Sequence, residues 1–250
     1  MPVENEWHLR LRTGVGGPKL WSLRKSTIVK TARDFVAVGT AMSRSTCSND
    51  EASDAIRAVS LLLQMGGELA AAAGRLLSEG EHYAGAALVR QVVEIEYLTW
   101  TFKEGHRSAS KWLRSTHEER REIFTPAQLR KTSKGRFLGK DYRDHCEQGG
   151  HPVPKGSFLL DSRSPGSAQV LLVDLICHCW RTWDQVVRWS TEIPDASMAV
   201  LDAGNEISAR LNKWGQRDPI YALMVGTKSR EEKLAIFIWE TIRAQFSPTV

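Results

Sequence analysis

Residues 81–102 read EHYAGAALVRQVVEIEYLTWTF. Ala84, Ala87, Leu88, Val92, Ile95, Leu98 and Phe102 recur at spacings of three and four, the period of an amphipathic helix. Arg90 and Glu94 stand inside that apolar pattern, one turn apart. A charge on a core-facing helix is costly unless it is paired, so this pair needs a reason. One reason is structural, a semi-buried ion pair that fixes how two helices meet. The other is functional, with Glu94 a base or ligand and Arg90 a clamp for an anion. Glu96 follows two residues on and is expected to point elsewhere.

The chain around this helix has 250 residues, 42% of them hydrophobic and 25% charged. That suffices for one sizeable core, or a main domain with an appendage. No apolar run approaches the ~20 residues of a membrane span, and MPVENEWHLRLRTG lacks the apolar segment of a signal peptide. A cytoplasmic protein with no membrane partner is expected. The four Cys fit a reducing compartment, where they act as small hydrophobes.

Charge is unevenly placed. Residues 1–33 hold 7 Lys/Arg against 2 Asp/Glu, net +5, and residues 101–145 hold 12 against 6, net +6. Residues 34–100 hold 4 against 9, net −5. Basic blocks attract phosphate backbones, although they are more often solvated faces. The block at 103–140 is the candidate surface for RNA or a nucleotide.

Taken in order, residues 1–50 carry Gly14, Gly16, Gly17 and Pro18 and read as an N-terminal arm, loosely ordered, with one short element. GVGGPK lacks the spacing of a phosphate-binding loop. Asn49-Asp50 or Ser53 caps a helix to about Ser78, interrupted by Gly66-Gly67 with a bend or a close helix contact, and closed by Gly80. A very short connection into the central helix predicts an antiparallel hairpin. SASKWLRSTHEERREIF reads as a basic helical stretch, with capping-box spacing at Thr116 and Glu119. Pro126 opens a short helix, and Tyr142–Gln148 forms another that Gly149-Gly150 stops. A long, almost wholly apolar helix runs from about Pro165 to Thr191 and is placed beside the central one. Helical stretches near 197–213 and 229–246 form a C-terminal extension, residues 194–250, packing on a bundle of residues 51–193. No strand alternation is sustained, so the expected fold is all-α, a helical bundle with long antiparallel helices.

His151 is the second candidate. It follows two glycines and precedes Pro152, so a loop presents it, in extended conformation. Histidine is the residue type that titrates near neutrality. Tyr142 and Arg143 lie one turn before Cys146 and complete a polar group with it. Its alternative role is a histidine bonded to nearby backbone. His145, Cys146, His151, Cys177, His178 and Cys179 are metal-donor types. However, Cys177 and Cys179 point about 200° apart on a helix, and no zinc-finger spacing occurs. Neither a metal nor a cofactor is called for, and no GxSxG marks a Ser nucleophile. The tryptophans are read as core rather than as base-stacking platforms.

The run from Ala84 to Trp100 with Arg90 and Glu94, and the later Tyr142, Arg143, Cys146, His151 and Pro152, together resemble uncharacterised bacterial helical proteins related to the HEPN superfamily (higher eukaryotes and prokaryotes nucleotide-binding). The likeness spans roughly residues 51–193. It implies a bundle of four or five helices, a homodimer, and, in many members, a metal-independent ribonuclease site built from an Arg and a His. Carried over, Arg143 holds phosphate and His151 moves a proton, with Arg90, Glu94 and Tyr142 as the supporting polar cluster. Seven residues separate Arg143 from His151, where the family has four to six. Other members of the fold act as binding partners. The reading adopted is a non-catalytic partner- or nucleotide-binding module in a defence or toxin–antitoxin setting; the alternative is the Arg/His ribonuclease.

Overall fold

The computed structural model describes residues 17–44, 49–160 and 165–221. No strand occurs among them, and the protein is an all-α helical bundle. Four long helices form its body: α1 (Pro18–Met42), α2 (Asp50–Glu79), α3 (His82–Lys103) and α8 (Pro165–Ser190). Between α3 and α8 lie four short helices, α4 (Ala109–Arg114), α5 (His117–Ile123), α6 (Pro126–Thr132) and α7 (Gly139–His145). A π turn (Cys146–Gly150) and a 3-10 segment (Pro154–Leu160) follow α7. The last described helix is α9 (Pro194–Arg217).

α2 has the ends its sequence calls for. The Asn49 side chain accepts from the Glu51 and Ala52 amides, satisfying donors that the first turn leaves open. Gly80 ends it in the left-handed region at φ 87. Gly66-Gly67 does not interrupt α2; it is the close contact. A Cβ on Gly67 would lie 2.5 Å from the Ala32 carbonyl oxygen, so glycine lets α1 and α2 touch backbone to backbone. α2 is also long and apolar enough to cross a membrane, with a mean hydropathy of 1.2. Here it packs against α1, α3, α4 and α8 and serves as a core helix.

The arm expected over residues 1–50 differs most. Residues 1–16 and 45–48 lie outside the described residues, but residues 18–42 form the full-length helix α1, with Pro18 in its first turn. Ile28, Ala32, Phe35, Val38 and Met42 make its buried stripe. Arg24 is fully buried and grips Asp218, just past α9, with Nε to Oδ2 at 2.7 Å and Nη2 to Oδ1 at 2.8 Å. Trp214 Nε1 and the Ile220 amide also donate to that carboxylate, each at 3.0 Å. Removing one partner of so enclosed a pair strands the other charge, so this contact fixes α9 against α1. α9 packs on α1 and α8. The helical stretch expected at 229–246 lies outside the described residues.

The basic stretch 108–124 is two helices rather than one. Ser115 turns the chain, and Thr116 starts α5 with the capping box that its spacing predicts. α6, α7 and the π turn all contact α3. Tyr97 stacks on Phe137 at 3.9 Å, and Trp100 meets the same ring edge-on at 5.0 Å. These aromatics hold α6, α7 and the π turn as a cap on one flank of α3, while α4 packs on α2. Trp100, Trp183, Trp189 and Trp214 are core, as are Cys177 and Cys179.

Candidate functional site

α3 is buried on nearly all sides, with Ala84 and Gln91 exposed. It carries two polar groups, one toward the cap and one toward α8. Glu94 and Glu96 begin them. They are two residues apart, about 200° around a helix.

On the cap side, Arg90 Nη1 donates to Glu94 Oε1 at 2.6 Å and to the Tyr142 hydroxyl oxygen at 3.0 Å. The Tyr142 hydroxyl donates to the same Glu94 oxygen at 2.7 Å. The three side chains form a closed, half-exposed triangle. Burial works against the Arg90 charge, but Glu94 and Tyr142 more than offset it and raise its pKa. Burial, then Glu94, pushes the Tyr142 phenol well above its ordinary range, so Tyr142 acts as a donor and not as a base. The guanidinium of Arg130 lies over the Tyr142 ring at 4.4 Å, a cation–π contact.

The π turn closes this site from one side. His151 N donates to Cys146 O at 2.9 Å, the five-residue bond of such a turn, a geometry often found at functional sites. A Cβ on Gly149 would lie 2.7 Å from the Ala87 amide nitrogen and 2.9 Å from Tyr83 O. One on Gly150 would overlap the Arg90 side chain. Two glycines are therefore what lets the turn press onto α3 beside Arg90.

Of the residues singled out in the sequence, Arg90, Glu94 and Tyr142 are brought together. Arg143 and His151 are exposed. His151 is extended at φ −138, ψ 146, and its carbonyl accepts from Tyr83 Oη at 3.0 Å. Among the described residues neither the Arg143 nor the His151 side chain makes a hydrogen bond or ion pair, so neither is joined to the Arg90 triangle.

The group facing α8 is buried, with Arg181 at its half-buried edge, and was not foreseen. His178 Nδ1 meets Glu96 Oε2 at 2.5 Å, and Arg181 Nη1 lies 3.4 Å from both Glu96 oxygens. His178 Nε2 is 3.2 Å from Asp174 Oδ1, and His145 Nε2 is 3.7 Å from Asp174 Oδ2. Burial opposes the His178 charge, yet Asp174 and Glu96 override it and raise its pKa to about 9. Burial likewise opposes the ionised forms of Glu96 and Asp174. Arg181 and His178 nevertheless hold Glu96 low, and His178 and His145 do so for Asp174. Glu96 does point away from Glu94, but into the core. The inventory of metal donors counted His145 and His178 and passed over Asp174. Its signal was the i,i+4 spacing of Asp174 and His178, which puts both on one face of α8.

Apart from these two groups, a groove of about 250 Å³ lies between α8 and α9, lined by Val187, Val200, Leu201 and Gly204 among others. No titratable side chain lines it.

Against known proteins, no family model matches this chain, and no curated protein or solved structure matches it either.

Proposed function

We propose that this protein is a non-catalytic, HEPN-like binding module that takes RNA or a nucleotide on the cap, with the phosphates held by basic side chains around Tyr142. The observation that carries this reading is the closed triangle. Arg90 Nη1, Glu94 and Tyr142 hydrogen-bond one another in a ring, with Arg90 Nε left without a partner, so the group is built to hold shape rather than to pass a proton. Arg130 lies over the Tyr142 ring at 4.4 Å, and Lys131, Lys134, Arg136 and Arg143, on the same segment of net +6, are exposed. Such a cluster binds phosphate oxygens without reading bases. The tryptophan of that segment, Trp112, is half-buried against the core, which leaves little of its face for base stacking.

A ribonuclease using Arg143 and His151 is the second reading. It is favoured by the exposure of both side chains and by the anchoring of the His151 backbone on Tyr83. In either reading we place the protein in the cytoplasm as a homodimer, and the binding module in a defence or toxin–antitoxin setting.

The test is a titration of a short fluorescent single-stranded RNA, followed by anisotropy. Saturable binding is expected, weakened at least about tenfold when Arg130 and Arg143 are both changed to Glu. Absence of saturable binding, or binding indifferent to that change, would remove the proposal.

A further inference from the structure

We propose that His145, Asp174 and His178 bind one divalent transition-metal ion of the zinc class, tying α7 to α8 beneath the cap. The three residues are buried, and their donor atoms all lie within 4.8 Å of one another. Two His nitrogens and a carboxylate suit zinc and its neighbours rather than calcium or magnesium.

The distances fit. Donors about 2.1 Å from a tetrahedral ion stand roughly 3.4 Å apart. His178 Nε2 to Asp174 Oδ1 at 3.2 Å and His145 Nε2 to Asp174 Oδ2 at 3.7 Å, one histidine on each oxygen of the carboxylate, lie close to that value. The third edge, no longer than 4.8 Å, closes the set on shortening toward the same ~3.4 Å separation. Three protein donors leave one position for a water.

The second observation is independent of the distances. Neither oxygen of Asp174 has a hydrogen-bond partner, although the residue is wholly buried, and His178 Nε2 has none either. The 3.2 Å approach of His178 Nε2 to Asp174 Oδ1 is close but out of hydrogen-bond alignment. An ionised carboxylate without a donor is costly in a dry interior, and a cation between these atoms would satisfy all three. Glu96 supplies the remaining feature. It holds His178 Nδ1, which turns Nε2 toward Asp174 in the carboxylate–histidine–metal arrangement that orients metal ligands. Arg181 in turn steadies Glu96.

The site has a structural consequence. His145 is the last residue of α7, directly before the π turn that seats Gly150 on Arg90. An ion there would hold that turn in place.

The test uses the full chain without a histidine tag, stripped with chelator and loaded with Zn2+ or Co2+. Wild type is expected to retain one equivalent after gel filtration and to show a saturable Co2+ visible band. Asp174→Asn and His145→Ala should retain none, and Glu96→Gln should bind about 10 to 100 times more weakly. His117→Ala, at an exposed histidine of α5, should bind as wild type does. A wild type that retains no metal, or first two variants that retain as much as wild type, would overturn the site. Should those two variants fail to fold, the Co2+ titration of wild type decides: a band saturating at one equivalent supports the site, and no saturable band overturns it.

Discussion

Glu94 and Glu96 sit on the same helix two residues apart and live in opposite surroundings. Glu94 is part of a half-exposed triangle, with its side chain 32% accessible and its partners Arg90 and Tyr142 also touched by water. Glu96 is fully buried, bonded to His178 and within reach of Arg181. The outer group holds its shape by its own hydrogen bonds, and water at its edge can replace a lost partner at little cost. The inner one has no such reserve, because each charge there depends on the others for its solvation. One helix thus carries a water-backed polar site on one flank and a dry one on the other.

Deleting the two carboxylates separates them most sharply. In chelator-treated protein, Glu96→Ala strands the His178 charge and is expected to cost about 3 to 5 kcal/mol in urea denaturation. Glu94→Ala, discounted for its exposure, should cost about 1 kcal/mol or less. Equal costs would break the comparison.

Next in size is the turn that joins the two regions. Gly149→Ala pushes a Cβ into the backbone of α3 at Ala87 and Tyr83 and should cost about 1 to 3 kcal/mol. Gly139→Ala meets nothing within 4 Å and should stay within about 0.5 kcal/mol of wild type in the same experiment.

Tyr142→Phe sharpens the picture of the triangle. It removes a donor to Glu94 and an acceptor for Arg90, at an expected cost of about 1 kcal/mol by thermal or urea unfolding. The smallest expected effect concerns the cap alone. If Arg143 touches one phosphate, Arg143→Ala should lower the slope of log affinity for RNA against log salt by about 1, with no change in stability.

These asymmetries explain how much could be read from the residues alone. The ends of α2 were legible because Asn49 and Gly80 act on their own neighbours. The triangle was half legible, since Arg90 and Glu94 share a helix face, while Tyr142 lies 52 residues from Arg90. The inner group was not legible. Glu96 finds His178 across 82 residues, and a charged residue facing the core reads as one facing out. α1 was hidden for a related reason. Its inner face carries Arg24, Thr27 and Thr31, all buried, which blurs the apolar stripe, and the glycines before Pro18 suggested an arm. The positions of Arg143 and His151 depend on the π turn, a five-residue bond with no sequence signature beyond its two glycines.

The most direct measurement is to incubate single-stranded RNA with the folded chain and with His151→Ala in EDTA, and to resolve bound from cleaved RNA. The account predicts equal binding by both proteins and intact RNA throughout. Cleavage by wild type that disappears in a still-folded His151→Ala would contradict it and make the cap a metal-independent nuclease site.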